Sequence, residues 1–222
     1  MNEEDKVVLK KDVEFDAETF LYKFEGKSFS GVGVEYYESG QIEHEIHFKD
    51  GKEEGLWTEW YENGQKYYER FYKDGEAEGL WTQWSEDGEK TFEAHYKDGK
   101  LDGLATAWHE NGQKYSEQNY KDGKRDGRWT EWSEGGQKKS EVHYKDGERD
   151  GLLILWYESG QKKSEVHYKN GKLDGLLSLW YEAGQKETET HYKDGKRDGR
   201  RTEWSEDGKK IYERYFVDWN EE

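Results

Sequence analysis

The chain has 222 residues, of which 31% are hydrophobic and 39% are charged, and this composition excludes a thick two-layer aliphatic core. An aromatic fraction of 16%, with 11 Trp and 17 Tyr, excludes disorder, because disordered segments are poor in aromatic residues. A formal net charge of -17 argues against nucleic acid and anionic membrane surfaces as partners.

The absence of cysteine removes disulfides and thiolate metal sites from consideration. The first residues lack the apolar stretch of a signal peptide, and no run approaches the roughly 18 apolar residues of a membrane helix. We expect a cytoplasmic protein. A mature exported form that has lost its signal peptide is also compatible with these features.

Residues 1–26 precede the regular part of the chain and contain two alternating segments, KVVLKK and TFLYKF. Alternation of apolar and polar residues is typical of half-buried strands. We predict an N-terminal capping segment of extra strands that covers the first edge of a sheet. At the other end, Val217, Trp219 and the acidic tail 219–222 are predicted to close the last edge.

Residues 27–218 consist of eight consecutive units of 24 residues. The glycine of an Asp-Gly or Asn-Gly pair marks the period at Gly51, Gly75, Gly99, Gly123, Gly147, Gly171 and Gly195. A second glycine, such as Gly64, separates two aromatic and β-branched segments in each unit, which indicates a β-hairpin. The predicted fold is all-β: an elongated single antiparallel β-sheet, a meander of repeated β-hairpins forming a solenoid-like ribbon roughly 75 Å long.

Loop length decides which side chains share a face, because a slip of one residue moves every side chain to the opposite face. A three-residue loop over 62–64 groups the apolar residues best, and we predict the same loop length for 73–75. The better-packed face then carries Leu56, Thr58, Trp60, Tyr68 and Tyr72, and later Leu152, Ile154, Trp156, Val166 and Tyr168. The wetter face carries Trp57, Glu59, Tyr61, Glu69 and Phe71, and later Leu153, Leu155, Tyr157, Glu165 and His167.

The repeat resembles a known family, the bacterial variant of the MORN repeat found in antitoxin components of the YwqK type. The resemblance lies in the G-x-x-x-G opening at Gly99, the W-x-E-x-G-Q-K segment at Trp156 and the closing E-x-x-Y-K-x-G segment at Glu165. It covers residues 27–218. It implies an elongated antiparallel sheet used for protein contacts, and some relatives resemble antitoxin or immunity proteins.

Aromatic residues at the less regular positions are the candidates for partner contact, because exposed aromatic side chains are enriched in interfaces. These candidates are Trp57, Tyr61, Trp81, Trp129, Tyr157 and Tyr181. The tryptophans that recur at one repeat position, such as Trp60 and Trp156, are interpreted as structural. We expect them to pack on lysine stems such as those of Lys66 and Lys162.

Two further repeated residue types, glutamate and histidine, are assigned no catalytic or metal-binding role. A glutamate recurs in all eight units, and we predict that each lies opposite a glycine of the next strand, as Glu45 opposite Gly55. The histidines, such as His143 and His167, lie in units about 9.6 Å apart, too far to share a zinc ion with nitrogen ligands at about 2.1 Å. Nucleotide-binding, nucleophile-elbow and zinc-protease motifs are absent, so we predict no enzyme, cofactor or metal site.

The leading hypothesis is a protein-binding scaffold, of the antitoxin or immunity type, whose acidic surface masks a basic protein partner. A carbohydrate-binding repeat protein of the cell surface, using aromatic platforms, is the alternative from another class. A structural spacer is a third possibility, and a homo-oligomer is compatible with each of them.

Overall fold

A computed structural model describes residues 6–217 of the chain. Strands and turns account for nearly all of these residues, with one 3-10 helix and no α-helix among them. The chain is therefore all-β, an open antiparallel meander of repeated hairpins, as the sequence predicts. It divides into two compact units, and the boundary lies between Gly112 and Gln113. Within the described range, no helix has the length and apolar character needed to cross a membrane.

The first unit begins with short elements and continues as a meander of longer strands. It contains the 3-10 helix Lys10–Asp12. Its strands are β1 Val7–Leu9, β2 Val13–Asp16, β3 Leu21–Phe24, β4 Lys27–Ser28, β5 Gly31–Tyr36, β6 Ile42–Lys49, β7 Lys52–Trp60, β8 Lys66–Lys73, β9 Glu76–Trp84, β10 Lys90–Lys97 and β11 Lys100–Trp108.

The second unit is a meander throughout. Its strands are β12 Lys114–Lys121, β13 Lys124–Trp132, β14 Lys138–Lys145, β15 Glu148–Trp156, β16 Lys162–Lys169, β17 Lys172–Trp180, β18 Lys186–Lys193, β19 Lys196–Trp204 and β20 Lys210–Phe216. Trp219 and the tail 219–222 lie outside the described residues. Val217 is 67% exposed.

The segment before the meander provides a parallel edge strand and a small second layer. β1 pairs in parallel with β5, the first long strand. β2, β3 and β4 form a separate three-stranded antiparallel sheet. Side chains of this sheet, including Tyr22 and Phe24, pack on a cluster of Phe29, Ile46 and Phe48, which are 3%, 2% and 6% exposed. The thickest apolar packing of the first unit is therefore at its beginning.

The turn inside each hairpin is the predicted three-residue loop. In the second repeat the amide of Gly64 donates to the carbonyl of Tyr61 (2.9 Å), and the amide of Tyr61 donates to the carbonyl of Gln65 (2.8 Å). Gly64 has a φ of 85°, so this position requires a left-handed residue. The prediction for 62–64 is confirmed.

The turn between hairpins is shorter than predicted. Lys73 pairs with Glu76, which leaves a loop of Asp74 and Gly75. Their φ angles are 51° and 83°, the two positive values of a type I′ turn, which favours Asn-Gly and Asp-Gly. The three-residue loop predicted for 73–75 is wrong, because Asp tolerates the left-handed conformation that the shorter turn needs.

A β-bulge beside each recurring tryptophan changes which residues share a face. Trp60 pairs with Lys66, but Glu59 pairs with Tyr68, so Tyr67 is an extra residue on β8. Beyond this extra residue, the side chains of β8 point to the opposite face from the one that the loop length alone predicts. We call face A the side of the sheet with Trp57, Glu59, Tyr68, Arg70 and Tyr72, and face B the side with Leu56, Thr58, Glu69 and Phe71; equivalent positions of other repeats follow the same assignment.

The predicted faces are therefore wrong. Tyr68 and Tyr72 lie with Trp57, on the opposite side from Leu56 and Thr58. In the later repeats the pairs are Leu153 with Val166, Leu155 with Ser164 and Ile154 with Glu165. Face A combines Leu153, which was predicted on the wetter face, with Val166, which was predicted on the better-packed face.

The recurring glutamate does not lie opposite a glycine. Glu45 pairs with Thr58 on face B, and the same pairing joins Glu141 to Ile154 and Glu189 to Thr202. A second bulge lies in β7, the strand that carries Gly55, where β7 has two more residues than the facing stretch of β6. This glycine bulge displaces the predicted pairing. This prediction is wrong for the same reason as the face assignment: bulges interrupt a simple residue count.

Candidate partner-binding surface

Three of the predicted contact residues, Trp57, Trp81 and Trp129, lie half-buried on face A. In the first unit they belong to a row of rings: Tyr72 has its centroid 5.7 Å from Trp57 and 5.6 Å from Trp81, and Trp81 stacks on Tyr96 at 4.1 Å. In the second unit Trp129 lies 5.8 Å from Tyr144. Aromatic pairs at these distances stabilise the sheet beyond their buried area.

The other three predicted contact residues, Tyr61, Tyr157 and Tyr181, lie at the turns inside hairpins. Each hydroxyl donates to the carbonyl of the recurring tryptophan in the next repeat, at 2.9, 2.8 and 2.9 Å. Tyr37 makes the same bond to Trp60 at 2.7 Å. These tyrosines therefore join consecutive hairpins of the sheet.

Face B is organised by a repeated ion pair and a tryptophan. Lys162 approaches Glu165 at 2.5 Å and lies 5.1 Å from the ring centroid of Trp180. Lys66 likewise pairs with Glu69 and lies 5.8 Å from the ring of Trp84. The predicted packing of lysine on the recurring tryptophans is confirmed.

The ion pairs of face B also shift the pKa values of their carboxylates. Burial alone would raise the pKa of Glu141, but its hydrogen bond and ion pair with Lys138, at 2.7 Å, outweigh burial and lower the pKa. On face A, burial raises the pKa of Tyr68 to about 12. Glu141 is therefore ionised and Tyr68 protonated at neutral pH.

Five of the seven histidines lie beside a glycine bulge. The Cβ atom of His143 lies 3.3 Å from where a Cβ on Gly151 would be, and its Nδ1 lies 3.3 Å from the carbonyl oxygen of Leu152. His167 makes the equivalent contact at 3.1 Å, and the Nδ2 of Asn119 does so at 2.7 Å. Asparagine therefore makes the same contact as histidine, but Phe71 occupies the equivalent position beside Gly79, so this hydrogen bond is not required in every repeat. Over the described residues, no group of three potential ligands is placed to hold a metal ion.

Face A of the second unit forms an open groove of about 590 Å³. Its floor is apolar, and Val142, Leu153 and Val166 are 8%, 8% and 7% exposed. Leu155 and Leu179 also line it and are only partly buried. The remaining lining residues are aromatic or polar: Arg125, Trp129, Glu131, Ser140, Tyr144, Arg149, Ser164 and Tyr168.

Arginine and tyrosine alternate along one side of this groove. Arg125 pairs with Tyr120, Tyr144 pairs with Arg149, and Tyr168 follows on the next strand. The guanidinium of Arg125 lies 4.1 Å from the ring centroid of Trp129, and that of Arg149 lies 5.4 Å from the ring of Tyr168. Hydrogen bonds to Tyr144 raise the pKa of Arg149, which stays fully charged.

Among the residues that line this groove, only Trp129 was predicted from the sequence as a partner-contact residue. Leu153 and Val166 of the aliphatic floor were predicted on opposite faces, and the arginines were not singled out. A signal for them does exist: Arg125, Arg149 and Arg197 occupy the repeat position that holds Glu53, Ala77 and Leu101 in the first unit. That these arginines lie on the same face as the groove becomes clear only once the register is known.

The family model described as the MORN repeat variant matches the chain eight times in tandem. The matched residues are 30–50, 53–74, 77–98, 101–122, 125–146, 149–170, 173–194 and 197–218. No curated protein matches the chain in a sequence search.

Proposed function

Because the chain belongs to the MORN repeat variant family, whose repeats are generally protein- or lipid-binding modules, we propose that it is a protein-binding scaffold. The observation that supports protein binding most directly is the open groove on face A of the second unit. A sheet normally buries its apolar face against a second layer. Leu155 and Leu179 instead remain partly exposed there, and a partner would complete their burial.

The proposal extends to the class of partner. The net charge of -17 favours encounter with a basic protein, because opposite net charges accelerate association. We propose that the chain holds and masks such a partner without catalysis, in the manner of an antitoxin or immunity protein. The groove supplies the apolar contact, and the acidic surface supplies the long-range attraction.

The test compares two substitutions that add the same charge to opposite faces of β15. Leu155→Glu places a carboxylate in the groove, whereas Leu152→Glu places one on face B, where Leu152 lies opposite His167. Each full-length variant is used to capture proteins from the host that encodes the chain, followed by measurement of stoichiometry and affinity with the purified partner.

We expect a basic protein that binds wild type and Leu152→Glu alike, binds Leu155→Glu at least about ten-fold more weakly, and binds less tightly at high salt. Co-expression that neutralises a toxic partner would support the antitoxin role. Equal binding by both variants would remove the groove from the proposal. Capture of glycans in place of a protein, lost with Leu155→Glu, would favour the carbohydrate alternative and contradict protein binding.

A further inference from the structure

We infer that the groove on face A of the second unit binds an extended apolar segment that bears a carboxylate, and that Arg125 and Arg149 hold this carboxylate. The inference rests on the proposed function and specifies the chemistry of the bound segment. It follows from the placement of two guanidinium groups beside an aliphatic floor.

Aromatic residues hold both guanidinium groups in place. Arg125 lies 4.1 Å from the ring of Trp129 and 5.3 Å from the ring of Tyr144. Arg149 lies 5.4 Å from the ring of Tyr168, and its Nη1 is 3.5 Å from the hydroxyl of that tyrosine. Rings and phenols orient an arginine without cancelling its charge, so its fixed fork of donors remains suited to a bidentate anion.

Neither arginine has a carboxylate partner within 4.0 Å among residues 6–217. Two other face A arginines do have one: Arg70 lies 3.1 Å from Glu59, and Arg201 lies 2.7 Å from Glu203. The acidic residue of the groove, Glu131, accepts a hydrogen bond from Ser140 at 2.9 Å. The charges of Arg125 and Arg149 are therefore left for an external anion, although the chain as a whole has a net charge of -17.

The apolar floor decides which kind of anion fits. Leu153 and Val166 form a directly opposed pair on the floor, and Leu155 lies along the same strand as Leu153. Arg149 lies on that strand too, on the same face. A ligand that reaches this arginine therefore also covers aliphatic side chains. An extended peptide with alternating aliphatic and acidic residues satisfies both requirements, whereas a free inorganic anion would leave the floor exposed.

The partner can be basic overall and still present such a segment. Long-range attraction depends on the net charge of the partner, whereas the groove contacts only a few of its residues. A basic segment in the groove would bring its cations against Arg125 and Arg149, so local charge complementarity selects an acidic one.

The experiment uses a phage-displayed library of random peptides selected on the full chain, followed by calorimetry with the synthetic peptide that is enriched most. We expect the enriched sequences to combine aliphatic or aromatic residues with Asp or Glu. Arg125→Gln and Arg149→Gln should each weaken binding of that peptide about ten-fold, because each removes a charge-assisted hydrogen bond to the peptide carboxylate.

Arg128→Gln is the matched control, since Arg128 lies on the same strand as Arg125 but faces His143 on face B. It should bind the peptide as wild type does. Enriched peptides without acidic residues, or equal binding by the Arg125→Gln and Arg128→Gln variants, would overturn the inference. A protein partner that binds the Arg125→Gln, Arg149→Gln variant normally but is lost with Leu155→Glu would overturn it too, while leaving the proposed function intact.

Discussion

The beginning of the first unit and the centre of the second unit use the same hairpin repeat in two different ways. At the beginning, the small sheet β2–β4 covers face A, and Ile46 is only 2% exposed beneath it. In the second unit face A has an aliphatic cluster as well, but Leu155 and Leu177 beside it are only partly buried. The chain supplies its own second layer in one place and leaves the equivalent face open in the other.

The difference shows what a single-layer repeat needs. Cross-strand pairs and ion pairs stabilise each hairpin against its neighbours, and this is sufficient for a meander. They do not bury large aliphatic side chains on both faces. Partly exposed aliphatic residues on face A of the second unit therefore support the proposal that another molecule covers this surface.

The largest expected effect comes from truncating the covered cluster. Ile46→Ala should lower the free energy of unfolding by about 4 kcal/mol, because a fully enclosed side chain leaves a cavity. Leu153→Ala, in the open cluster, should cost about 2 kcal/mol, since the solvent-facing side can relax. Urea unfolding of both variants measures the two losses. Equal losses would mean that face A is buried to the same depth in both regions.

A smaller effect is expected at Gly31, where β5 begins beside the N-terminal edge strand β1. A Cβ on Gly31, whose φ is 145°, would lie 2.3 Å from the carbonyl oxygen of Lys6, so Gly31→Ala should displace β1 and cost about 3 kcal/mol. Gly160 has a φ of 81° with open space around it, and Gly160→Ala should cost about 1 kcal/mol from backbone strain alone. Thermal unfolding compares the pair. A Gly31→Ala loss no larger than that of Gly160→Ala would show that β1 adds little to the covered region.

The smallest expected effect is a pH dependence of the open unit. The pKa of Glu141 is lowered in the folded state below its ordinary value of 4.5. Its contribution is therefore present above pH 4.5 and is lost as the pH falls through the folded pKa. The Glu141→Gln variant should be less stable than wild type at pH 6 by under about 1 kcal/mol, and the difference should shrink as the pH falls below 4.5 through the folded pKa. Urea midpoints across this range provide the test, and a difference that grows on acidification would contradict the ion pair with Lys138.

The sequence predicts the fold class and the repeat well because both depend on patterns that recur. Glycine spacing and turn residues locate the hairpins, and the three-residue loop ending at Gly64 is predicted because it groups the apolar residues best. The faces could not be predicted by counting residues. Tyr67 is an extra residue in a bulge, and Asp74 adopts a left-handed conformation, so each shifts the register in a way that only pairing partners reveal.

The candidate surface was predicted only in part for the same reason. Trp57, Trp81 and Trp129 do lie on the face with the most aromatic packing, but Tyr61 and its equivalents are engaged in bonds between hairpins. The groove depends on residues from several strands of the second unit, and which of them meet is set by register. Local sequence carries no information about which arginines lack an acidic neighbour.

The most direct test of the open surface is methyl NMR of the full chain, titrated with its captured partner. Leu153, Leu155 and Val166 report on face A, and Leu152 and Ile154 on face B of the same region. We predict that the partner shifts the methyl signals of the first group and leaves the second group unchanged. Shifts confined to Leu152 and Ile154 would contradict the proposal that a partner covers face A of the second unit.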